Sequence, residues 1–207
     1  MNLKKPLIAL FSVAIMFAAS TVSLACACCA ERGQYDVSTD KIDAYRLGVI
    51  KDIKFNDKAD LYTTAGEFEA IRGLAVVESE YAAGVTGDFN IVDLFTNKTW
   101  SLTIKTPGGK SGVLMLPLPT SMKVRRIDTH EKGEETGEIS VYKEFQFNGP
   151  VKSGTGIFKK SISTPATYSL IFQGRGNNCD NAEDFKNWRL EINGKNARFA
   201  FFGTTGT

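Results

Sequence analysis

The sequence predicts an antiparallel all-β domain. It would be a β-sandwich of about nine or ten strands, with an up-and-down β-barrel as the alternative and at most one or two short helices. Three observations lead there. Apolar residues recur at every second position through much of the chain, which puts them on one face of an extended strand. Asn193-Gly194 separates two such runs, a strong short-range hairpin signal because a tight two-residue turn needs positive φ at both positions. Segments with a helical period are few and short.

Taken in order, the first run is Tyr45, Leu47, Val49, Lys51, Ile53 and Phe55, with Arg46, Asp52 and Lys54 on the other parity. Strand-like runs follow at 73–78, 89–95 and 113–118. Thr96-Asn97-Lys98 is a short loop joining 89–95 to the alternating Trp100, Leu102 and Ile104. Pro117 and Pro119 cannot donate to a ladder, so the strand before them ends at an edge or a bulge. Met122, Val124 and Ile127 mark a weaker strand. Ile139, Val141, Phe145 and Phe147 mark another, with a bulge expected between Tyr142 and Glu144. Tyr168, Leu170 and Phe172, then Trp188, Leu190 and Ile192, then Ala197, Phe199 and Phe201 complete the set. One short helical turn is expected within 65–72. A second helix is expected over 180–188, where Asn181 stands as cap and Asp184 at the third helical position. Trp100 and Trp188, on the apolar parity of their strands, are expected in the core rather than on a sugar-binding shelf.

The chain divides into a leader, 1–25, and a single β domain, 26–207. Lys4 and Lys5 precede an apolar run of 13 residues, Leu7 to Ala19, and Ser23-Leu24-Ala25 fits a small-x-small cleavage site. The run is short of the roughly 20 apolar residues a membrane span needs. The expectation is therefore an exported protein, periplasmic or secreted, with no transmembrane anchor after processing. Cys26 would be the first mature residue and offers a lipid-anchoring position, although Ser23 and Leu24 depart from the usual lipoprotein pattern. The whole chain has 25 Lys and Arg against 23 Asp and Glu; the leader holds two lysines and no acid, so the mature chain is formally neutral. No basic run points to nucleic acid or to a membrane surface.

Three of the four cysteines lie at Cys26, Cys28 and Cys29, and the fourth is Cys179. In an oxidising compartment four cysteines allow three pairings, and each sets Cys179 opposite one of the N-terminal three. Such a staple closes a loop of about 150 residues, worth on the order of 4–5 kcal/mol in the chain-entropy model. The alternative is a soft-metal or thiol-redox site in which Cys26, Cys28 and Cys29 hold Cu or Zn. No cofactor is expected otherwise.

No catalytic residue is assigned. His130 lies beside acids but without a nucleophile motif, and Glu131, Glu134, Glu135 and Glu138 lack the ligand spacing of a calcium loop. Gln173-Gly174-Arg175-Gly176 has a G-x-G turn but no parallel βαβ setting, so it is not a phosphate cradle. A turn tied down beside a disulfide is instead pre-ordered, which makes Arg175, Asn177, Asn178 and Asp180 the candidate binding loop. The functional expectation is a non-catalytic β domain binding a small molecule or an envelope protein. A polysaccharide hydrolase is a weaker alternative, since it needs two carboxylates facing one cleft.

Overall fold

The computed structural model describes residues 32–61, 72–74, 88–128 and 140–206. They form β1 (Tyr35–Lys41), α1 (Ala44–Asp52), β2 (Lys54–Phe55), β3 (Lys58–Leu61), β4 (Phe89–Thr96), β5 (Thr99–Lys105), β6 (Ser111–Pro117), β7 (Ser121–Ile127), β8 (Val141–Pro150), β9 (Ser153–Gly154), β10 (Ala166–Gly176), β11 (Phe185–Gly194) and β12 (Ala197–Gly206). The strands follow one path, β1-β7-β8-β10-β11-β12-β3-β4-β5-β6-β9, with β2 paired to β12. Every ladder is antiparallel, as the alternating pattern requires. No helix among the described residues is long and apolar enough to cross a membrane.

The two arms of this path face each other across an aromatic core. Trp100 of β5 packs edge-on against Phe147 of β8 at 5.2 Å, and Phe89 of β4 meets Phe201 of β12 at 5.3 Å. Phe55 bridges Phe172 of β10 and Trp188 of β11 at 5.5 and 4.9 Å. Both tryptophans are buried; each such ring removes roughly 150–250 Å² from water. The Trp188 indole donates to the Thr204 carbonyl at 3.1 Å, so its polar atom is satisfied within the core. Tyr168 of β10 donates to the carbonyl of Pro117, at the end of β6, and burial pushes its phenol well above the usual range.

Twelve strands form among the described residues where about nine or ten were expected, β1, β3 and β9 having no counterpart among the strands expected from sequence. Local structure departs from expectation at four further places. First, Tyr45–Asp52 is the helix α1, not a strand. The Asp43 side chain accepts from the Arg46 amide at 2.9 Å and caps it, and the adjacent Val49 and Ile50 are both buried, which a strand facing one core cannot do. Secondly, the expected helix over 180–188 is only a 3-10 turn, Ala182–Asp184, before β11 begins. The register passes from Gln173↔Asn187 to Gly174↔Phe185, so Lys186 bulges out and Phe185 and Trp188 both face inward. That bulge imitates helical spacing.

Thirdly, β8 runs unbroken against both neighbours, without the expected bulge at 142–144, so Lys143 shares the inward parity with Val141, Phe145 and Phe147. Fourthly, the last hairpin turns at Lys195-Asn196 rather than Asn193-Gly194, and none of these four residues has positive φ. Gly194 is required for closeness instead: a Cβ there would lie 2.9 Å from the Pro165 carbonyl. Positive φ is used at the β4–β5 turn, where Asn97 and Lys98 have φ of 49° and 54°. The leader, residues 65–71 of the expected turn, 75–78 of the strand-like run 73–78, His130, the acids of 131–138 and Ile139 lie outside the described residues, and Arg72 forms a bridge to Arg198.

Candidate functional site

At one end of the core the inward rows stop being apolar. Val124, Phe145 and Phe172 form the last row that is apolar on all three of β7, β8 and β10. The next row is Asp36, Arg126, Lys143 and Gly174, so two cations stand directly opposite each other on β7 and β8. Like charges in that position repel. They are held by the segment that follows β10, residues 177–184, which folds back over them.

Lys143 is fully buried. Its ammonium donates to the Cys179 carbonyl and lies 2.5 Å from Asp184 Oδ2. Arg126 pairs with the Asp180 carboxylate, which is also buried, and lies 3.8 Å from Asp36. On its other side Asp180 is met by Arg46 Nε of α1 at 3.5 Å, and Arg46 extends the chain of charges to Asp40 at 2.5 Å. Tyr45 donates to the Asp180 carbonyl at 2.7 Å. Buried charges survive only when paired and hydrogen-bonded, and here each cation of the row has a carboxylate from the loop.

The glycines of Gly174-Arg175-Gly176 serve this packing. A Cβ on Gly174 would collide with the Asp184 carbonyl, and one on Gly176 with the Asp184 carboxylate. Close approach, not ligand phosphate, is what the G-x-G accommodates.

The structure brings together Asn177, Asn178 and Asp180 of the expected loop, but not Arg175. Asn177 caps its own turn, accepting from the Cys179 amide at 3.0 Å. Asn178 accepts from Gln34 Nε2 at 2.9 Å, which brings the start of the described chain beside the loop. Gly33 donates to Asp128 at 2.9 Å and fixes the same stretch. Asp180 is committed to Arg126 and Arg46. Arg175 is exposed, on the outward side of β10. Cys26, Cys28 and Cys29 lie outside the described residues. Sequence reasoning missed Arg46, Arg126, Lys143 and Asp184. The signal for two of them was present: Arg126 and Lys143 occupy the apolar parity of their strands.

Beside the loop, α1 and the 3-10 turn wall an open cleft of about 730 Å³. Val49 and Ala182 give it an apolar side, Tyr45 an aromatic one, and Asp52 and Glu183 a negative rim. Among the described residues neither Asp52 nor Glu183 is in an ion pair. Fold and site together define an all-β domain closed at one end by an ionic layer, with a cleft alongside. No protein-family model matches the chain, and neither a curated protein nor a solved structure matches it.

Proposed function

We propose that this is an exported, non-catalytic binding domain that uses the cleft between α1 and the 177–184 loop, with Cys179 joined to one of Cys26, Cys28 or Cys29. The observation that carries the reading is the loop's double anchorage: Lys143 and Arg126 hold it from below and Arg46 from the side. A surface ordered before the ligand arrives loses less entropy on binding. The contact of Gln34 with Asn178 supports the staple, because Cys29 is five residues before Gln34 and Cys179 one residue after Asn178. The rim of Asp52 and Glu183 favours a small molecule, or a side chain of an envelope protein, that carries a positive group on an apolar body.

Two measurements test this. Intact mass of the purified protein, with and without reductant, reports cleavage after Ala25, any acyl chain and the number of disulfides. Two or more free thiols, with copper or zinc retained, would instead support the soft-metal reading. Arginine methyl ester and spermidine are then titrated while amide shifts are followed. Shifts confined to Tyr45, Val49 and 181–183, weakened by Glu183→Gln, are expected; shifts scattered over the surface would reject the cleft.

A further inference from the structure

The opposite side of the same four strands carries a second feature, independent of the cleft. Cross-strand pairing puts Tyr35, Ile127, Tyr142 and Arg175 in one outward row across β1, β7, β8 and β10. Tyr35 is 74% exposed and Val37 beside it 39%. Tyr35 and Tyr142 stand in one row two strands apart, a backbone separation of roughly 10 Å. Tyr142 is fixed in place: it donates to Glu144 Oε2 at 2.8 Å and accepts from Gln173 Nε2 at 2.9 Å, while Arg125 pairs with Glu144.

Charge is sorted between the two sides of these strands. The outward side of β1, β7, β8 and β10 holds four cations, Lys41, Lys123, Arg125 and Arg175, against the single carboxylate of Glu144. Asp36 and Asp40 point to the inner side, towards Arg126 and Arg46. For a chain whose net charge is only +2, this is a strong local excess, and it attracts a polyanion. Neither the cations nor the rings are contiguous in sequence; antiparallel pairing assembles them.

The geometry points to this face as a binding surface for an acidic polysaccharide, whose sugars bear carboxylate or sulfate groups. The exposed ring of Tyr35 and the half-buried ring of Tyr142 offer apolar faces on which sugar rings can stack. The separation of Tyr35 and Tyr142 suits alternate sugars along a chain, and the guanidinium of Arg175 offers two parallel hydrogen bonds to an oxyanion. Nucleic acid shares the charge and the rings; the choice against it rests on the proposed export of the chain.

The test is titration of the purified protein with polygalacturonate, with dextran as a neutral polymer and a single-stranded DNA oligonucleotide as the rival polyanion. Saturable, salt-sensitive binding to polygalacturonate is expected, with none to dextran. The pair Lys123→Glu and Arg175→Glu should weaken it about tenfold or more, and Lys159→Glu, between β9 and β10, should leave it unchanged. Tyr35→Ala should weaken binding several-fold and Tyr35→Phe should restore it, separating ring stacking from charge. Lys41→Glu serves in place of any variant that fails to fold. Absence of binding, equal binding by the Lys123 and Arg175 variants, or tighter binding to DNA would each overturn the proposal. None of these outcomes depends on Glu183, so failure here and failure of the cleft are distinguishable.

Discussion

Replacing Lys143 by Met removes the one cation that, among the described residues, the core accepts at full burial. The change keeps most of the side-chain volume, so the packing against Phe145 and its neighbours survives. What is lost is the partner of Asp184 Oδ2 at 2.5 Å and the donor to the Cys179 carbonyl. Removing one member of a buried ion pair costs about 3–5 kcal/mol, because the other charge stays behind. The Asp184 side chain is 17% exposed and can recover some hydration, which places the cost at the lower end, about 3 kcal/mol. With a urea m-value of about 2 kcal/mol/M, the unfolding midpoint should fall by about 1.5 M. Adding Asp184→Asn should recover much of the loss, since the uncompensated charge is gone. Urea unfolding of the wild type, both single variants and the double variant closes the cycle. A midpoint within about 0.3 M of wild type for Lys143→Met, or a double variant no more stable than that single one, would refute the ionic account of the loop.

Three further outcomes follow from the geometry. Burial raises the Asp93 carboxyl above its ordinary 3.8, offset only in part by a hydrogen bond from the Phe55 backbone and by Lys54. The folded state therefore holds this proton to higher pH than the unfolded state, and stability falls as pH rises from 3.8 through the folded value. Asp93→Asn should stabilise the protein at neutral pH and have no such effect well below 3.8; an equal shift in the urea midpoint at both pH values would contradict this. Gly176→Ala drives a methyl into the Asp184 carboxylate, so it should destabilise by about 1–3 kcal/mol and be less than additive with Lys143→Met, read from the same unfolding cycle. Gly48, inside α1, has open space where its Cβ would be, so Gly48→Ala should raise stability by about 0.5–1 kcal/mol in thermal unfolding.

The strand framework was legible because one face of nearly every strand is buried, and the alternation of Trp100, Leu102 and Ile104 or of Leu170 and Phe172 records that directly. Misreadings arose where a local device broke or mimicked the period. Tyr45, Leu47 and Val49 alternate, yet the cap at Asp43 and the paired burial of Val49 and Ile50 belong to a helix. A bulge at Lys186 spaced Phe185 and Trp188 three apart and imitated one. A bulge was expected between Tyr142 and Glu144, but β8 runs unbroken and carries Lys143 into the core. Asp180 was singled out as part of a candidate loop, but its partners were not: Arg46 and Arg126 are 134 and 54 residues away in the chain, a distance that local pattern cannot bridge.

Closing the core with ions rather than with grease leaves the segment from Asn177 to Asp184 modular. A substitute of different surface could be spliced in if it delivers one acid to Arg126 and another to Lys143 and keeps the cysteine of the proposed staple and the small apolar contact of Ala182. The scaffold thus separates the chemistry that keeps that end shut from the sequence displayed there.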